Sequence, residues 1–142
     1  MMGADPDLPS SQLSAVRLQF GVSSLAGLSR LEGLGKAHQL VLDVYRATAS
    51  FPRAERYGLT SQLRRSAVSV PSNIAEGCCR SQGDFARFVQ VAAGSAGELE
   101  YQLLLAKDLD LLRIDPFYAL STKTTEVKRM LAGLLARLKA ES

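Results

Sequence analysis

The chain has 142 residues, 46% of them apolar, which is enough for one domain with its own core and rules out wholesale disorder. Seventeen basic residues against fourteen acidic ones give a net charge of +3, an excess too mild for a dedicated nucleic-acid binder. The two cysteines, Cys78 and Cys79, are neighbours on a predicted helix and point about 100° apart, so they are badly placed to bridge each other and are read as reduced.

Residues 1–30 are rich in Gly, Ser and Pro and are read as a loosely ordered extension, dispensable for folding. Asp5 and Asp7 stand where a signal peptide needs positive charge, and no apolar run approaches the ~20 residues of a membrane span, so a soluble cytoplasmic protein is expected. Within the extension, Val16 to Val22 alternate weakly like a strand. Residues 31–142 form the predicted domain. Leu34, Ala37, Val41, Val44, Thr48 and Phe51 recur at steps of three and four and mark a first helix, stopped by Pro52.

A second helix is predicted from about Gly58 to Arg80. Gln62, Arg65, Ser69, Ser72, Asn73, Glu76 and Arg80 fall within an arc of about 100°, and apolar or small residues cover about 200° of the remainder. A surface helix usually buries a stripe nearer 100° wide, so this helix is expected to touch more than one neighbour. Pro71 deprives the Ala67 carbonyl of its helical partner, so a bend is expected there, with Ser69 and Ser72 available to satisfy freed backbone groups. Two readings of the polar strip stand. It is a wet face, or it is a buried network in which Arg65, Ser69, Asn73, Glu76 and Arg80 fix the register between subunits.

The third helix opens with Ser81 as cap and Asp84 in the first turn. Its stripe of Phe85, Phe88, Ala92, Ala96, Leu99, Leu103 and Ala106 carries it to about Leu112. Asp115 and Pro116 read as a cap and first-turn proline for a fourth helix, with Leu120, Thr124, Val127, Leu131, Leu134 and Leu138 on its inner face. Four helices with short connections predict an all-α, up-and-down antiparallel four-helix bundle.

No catalytic, cofactor or metal constellation emerges. His38 is the lone histidine, Cys78-Cys79 lacks zinc or redox spacing, and Glu98 and Glu100 lie on different helix faces. The segment Arg46 to Arg87 carries seven basic and three acidic residues, and Glu98 to Asp115 carries five acidic and two basic. Beyond solvated surface, this asymmetry allows head-to-tail contact between copies, or phosphate contacts at Arg53, Arg56, Arg64 and Arg65. No aromatic platform is evident among those arginines, so RNA or DNA binding by the isolated protein is expected to be weak and salt-sensitive.

The stretch SFPRAERYGLTSQLRRSAVSVPSNIAEGCCR, Ser50 to Arg80, resembles the signature of the four-helix-bundle family named after intervening sequences of 23S ribosomal RNA genes. FARFVQVAAGSAGELEYQLLLAKDL, Phe85 to Leu109, resembles its third helix. The resemblance implies a ring-shaped homopentamer with no known catalytic activity and no cofactor. The bundle is also similar to accessory proteins of diversity-generating retroelements, which implies an alternative role as an RNA- or DNA-binding accessory of a partner enzyme. The first helix departs from the family pattern LxVWxKA, with Gly33 in the valine position and Leu34 in the tryptophan position. The function expected first is a non-enzymatic oligomeric scaffold or binding module.

Overall fold

The computed structural model describes residues 25–141. They form four long helices: α1 Leu25–Thr48, α2 Leu59–Cys78, α3 Gln82–Asp108 and α4 Ile114–Ala140, with a 3-10 turn at Arg53–Glu55 between α1 and α2. Each helix packs on its neighbour in sequence, and α1 closes the square against α4. The all-α antiparallel bundle is therefore as the periodicities predict. The weak strand at Val16 to Val22 lies outside the described residues, as does most of the extension.

The core is a continuous apolar column. All six predicted inner positions of α4 are buried, as are Phe85, Ala92, Ala96, Leu99, Leu103 and Ala106 of α3. Leu40 and Val89 join them. Each pair of adjacent helices is also tied by a polar contact. Arg64 Nε donates to Thr48 Oγ1 at 2.9 Å between α2 and α1, and Ser66 Oγ donates to Gln102 Oε1 at 2.8 Å between α2 and α3. Lys128 Nζ meets Glu100 at 3.0 Å between α4 and α3, and Lys123 meets Asp43 between α4 and α1.

Several boundaries differ from the sequence reading, each for a physical reason. α1 starts at Leu25, well before Leu34, and Arg30 already lies over the Phe85 ring at 4.1 Å. Gly33 is the cause of the misreading, because glycine weakens a helical signal while here it serves packing. A Cβ on Gly33 would lie 3.2 Å from Met130 Sδ, so Met130 fills the space that the family's valine position leaves open. α3 ends at Asp108 rather than near Leu112. Asp110 takes a left-handed φ of 59°, and the Leu111 amide reaches back to the Ala106 carbonyl at 2.9 Å, which together close the helix. Asp115 is not the cap of α4. Arg113 holds that place without a side-chain hydrogen bond, while Asp115 and Pro116 sit in the first turn, where a carboxylate is favoured and a missing N–H costs nothing.

The α2 termini follow local chemistry. Gly58 precedes the helix, and Glu55 Oε2 accepts the Leu59 amide at 3.0 Å, standing in for a side-chain cap. The helix runs through Pro71 to Cys78. Ser69 is occupied elsewhere: its hydroxyl meets Ser95 Oγ at 2.7 Å and the Asn73 amide at 3.1 Å. Most of the wide apolar arc of α2 is used within the chain, since α2 lies between α1 and α3 and turns Leu63, Ala67, Val70 and Ile74 to the core, while Val68 stays exposed.

Candidate functional site

Three surfaces stand out, the first being the polar strip of α2. Arg65, Glu76 and Arg80 are exposed, and Ser69 and Asn73 are half-buried, Ser69 against Ser95 of α3. The strip thus splits in two within one chain. Its inner edge is the Asn73–Ser69–Ser95 chain of hydrogen bonds, where Asn73 Nδ2 also donates to the Ser69 carbonyl at 2.7 Å. Its outer edge holds Glu76 and Arg80 in an i,i+4 pair at 3.2 Å, both side chains about half exposed. Such a pair contributes about 0.3–0.5 kcal/mol. Glu76→Ala should accordingly lower the stability of the chain by less than about 1 kcal/mol, read by urea unfolding. A larger loss would mean that the pair is buried by something beyond this chain.

The buried part of the polar layer is different from the one anticipated. Ser66 and Gln102 are buried and bonded to each other, with the Ser66 proton shared between Gln102 Oε1 and the Gln62 carbonyl, and Gln102 Nε2 donating to Glu98. Gln102 was visible in principle, because it falls between Leu99 and Ala106 on the inner side of α3. A polar residue inside an apolar stripe is the signal.

The second surface is the end of the bundle where α1 passes to α2. Arg53 and Arg56 are exposed on the connection, Arg65 on the second turn of α2. Arg64 is half-buried, its guanidinium over the Tyr45 ring at 4.4 Å, its Nη2 3.5 Å from the Tyr45 carbonyl and its Nε held by Thr48. Arg56 lies over Tyr57 at 5.7 Å from the ring centroid, and Tyr57 is 89% exposed. Aromatic rings therefore do accompany the arginines, contrary to the sequence reading. Tyr45 is nineteen positions from Arg64, and only the α1–α2 packing brings them together.

The third surface is the outer face of α3, where Val91, Tyr101 and Leu104 are exposed. Gly94 and Gly97 share that face, and a Cβ on either would meet nothing within 4 Å.

Elsewhere the chemistry is sparse. Among the described residues no three His, Cys, Asp or Glu side chains gather as metal ligands, and His38 is exposed on α1. Burial pushes the Cys78 thiol up, with Arg30 opposing and Cys79 adding to the shift, so Cys78 is the less ionised nucleophile than an ordinary cysteine. An open depression of about 380 Å³ between α1 and α4 has Asp43, Arg46 and Lys123 along it, but the carboxylate is already committed to both cations. No described helix is long and apolar enough to cross a membrane.

A family model described as 23S rRNA-intervening sequence protein matches residues 29–133. Among solved structures, a protein of unknown function from the S23 ribosomal protein family of Bacteroides thetaiotaomicron superposes with a TM-score of 0.67. It is 19% identical, and the match covers 80% of this chain and 99% of that one, a likeness of fold. No curated protein matches the chain. With the signature stretch folded as α2 and its preceding turn, and the family model spanning all four helices, the chain belongs to the 23S rRNA-intervening sequence protein family.

Proposed function

We propose that the protein is a non-enzymatic scaffold that assembles head to tail with copies of itself into a closed ring, five copies being what the family resemblance implies. The observation that carries this reading is the outer face of α3. Val91, Gly94, Gly97, Tyr101 and Leu104 fall within an arc of about 140° at 100° per residue, which also holds the exposed Gln90 and Glu98. Val91 is 49%, Tyr101 62% and Leu104 41% exposed. A glycine inside a helix costs about 1 kcal/mol relative to alanine, and none of the described residues approaches Gly94 or Gly97 to repay it. A second helix seated on this face supplies the reason, since small residues let backbones approach closely and the apolar neighbours lose their contact with water.

A head-to-tail contact requires a second, different surface on the same chain. The outer strip of α2, with Arg65, Val68, Ser72 and Glu76 exposed, is the counterpart we assign. The test is the mass of a Tyr101→Glu/Leu104→Glu variant by light scattering. Both side chains are exposed, so the bundle should fold, and the mass should fall to that of one chain. An assembly unchanged by both charges removes this face from the contact.

A second reading, an RNA- or DNA-binding accessory protein that assists a nucleic-acid enzyme, is favoured by one observation: the arginine–tyrosine pairs at the α1–α2 end.

A further inference from the structure

The α1–α2 end combines two features that a single-stranded polyanion with flat bases requires. The first is an excess of positive charge, since residues 53–65 carry four arginines and one carboxylate, Glu55. Arg53 and Arg56 project from the connection. Glu55 accepts the Leu59 amide at the start of α2, and Asp43 is engaged by Lys123, Arg46 and Gln39. Arg64 is held in place by Thr48 and the Tyr45 ring, and hydrogen bonds within the chain use two of its N–H groups, at Nε and Nη2. A guanidinium fixed in this way loses little freedom when it meets a phosphate.

The second feature is Tyr57. Its ring is 89% exposed, beside the Arg56 guanidinium and one residue before the glycine that opens α2. The core gains nothing from a tyrosine this exposed, whereas a ring with one arginine against it offers a base its other π-face and a neighbouring phosphate contact.

We propose that the α1–α2 end is a binding site for single-stranded nucleic acid, with Tyr57 stacking one base and Arg53, Arg56 and Arg64 meeting the flanking phosphates. The proposal deepens the nucleic-acid reading above and rests on it. It is independent of the number of subunits in the ring. Binding is sequence-tolerant, because every base has a π-face, and steeply salt-dependent, because phosphates supply most of the attraction. Duplexes bind less well, since their bases are stacked on one another and closed to Tyr57.

The test uses the full chain and a fluorescein-labelled oligouridylate of about 15 nucleotides, followed by anisotropy at about 50 and 200 mM salt. Tyr57→Ala should weaken binding by roughly 5- to 140-fold, which is the stacking contribution of ~1–3 kcal/mol at ~1.4 kcal/mol per decade, and Tyr57→Phe should retain it. Removing Arg53 and Arg56 together should lower the log–log salt slope by about 1.4. Thermal midpoints should not move, because Tyr57, Arg53 and Arg56 are exposed. Binding that Tyr57→Ala leaves unchanged overturns the stacking site while the accessory reading stands. Absence of binding at about 50 mM salt overturns both. Equal affinity for a duplex, displacement of the oligonucleotide by an acidic peptide at matched charge, or a drop in assembly mass on Tyr57→Ala each assigns the surface to another partner and overturns the proposal.

Discussion

Phe85→Ala is expected to cost about 3–5 kcal/mol, the largest effect of any single substitution considered for this chain. Phe85 is among the largest fully buried side chains, set in the first turn of α3 where the end of α2 and the start of α1 converge on it. Its ring is packed against the position of Gly77 and lies beneath the Arg30 guanidinium. Truncation loses the transfer free energy of the ring and leaves a void that three converging helices cannot fill without separating from their own contacts. A loss of that size is a large fraction of the ~5–15 kcal/mol that holds a domain together. Urea unfolding at fixed protein concentration should show it as a lower midpoint with an unchanged slope. Phe85→Leu, which keeps most of the volume, should cost less than half as much. A Phe85→Ala penalty under about 1 kcal/mol would place the ring outside the core.

Gly77→Ala is expected to destabilise by about 1–3 kcal/mol, although alanine is the better helix former. A Cβ at this position would lie 2.7 Å from Phe85 Cδ2 and 2.9 Å from Phe88 Cβ. The second of these atoms is fixed to the backbone of α3, so a rotamer change cannot relieve the contact, and α2 and α3 must separate. The pair Gly77 and Phe85 should also be coupled. In the double substitution the new methyl has the phenyl void beside it, so the combined cost should fall short of the sum of the two single costs by about 0.5 kcal/mol or more. Strict additivity would mean that Gly77 and Phe85 do not meet. Gly94→Ala is the contrast. It has open space around it and should leave the stability of the isolated chain unchanged or raise it by up to about 1 kcal/mol.

How much of this was legible in the sequence depends on how local the cause is. The inner face of α4 could be read residue by residue, because Leu120 through Leu138 hold an uninterrupted step of four and three and nothing else competes for that helix. Ser81 and Asp84 were equally plain, and the Asp84 amide does donate to Ser81 Oγ, at 3.4 Å. The start of α1 was hidden by Gly33, which packs against Met130 of α4 and so cannot be understood from its own segment. The end of α3 was hidden for a related reason. The stop lies in the backbone of Asp110, while Leu109, Leu111 and Leu112 continue to look like a helical stripe.

The polar strip of α2 shows where periodicity reaches its limit. Its angular width follows from helical spacing, but width alone does not say which neighbour lies over it. The fold ties Ser69 to α3, with Asn73 half-buried on Ser69, and leaves Arg65, Glu76 and Arg80 in water within the single chain. The pairing of Tyr45 with Arg64 is a tertiary fact of the same kind. By contrast, the exposure of Tyr57 follows from its place between the 3-10 turn and Gly58, outside any apolar period, and that signal was available in the sequence.

The most direct test of the central claim is the solution mass of the wild-type chain by light scattering over a dilution series. A ring predicts a single species of five times the 15.3 kDa chain mass, persisting as the protein is diluted until subunits dissociate. A protein that has the mass of one chain at roughly tens of micromolar would contradict the scaffold account, leaving the outer face of α3 without the partner that its exposed side chains and open glycines are taken to serve.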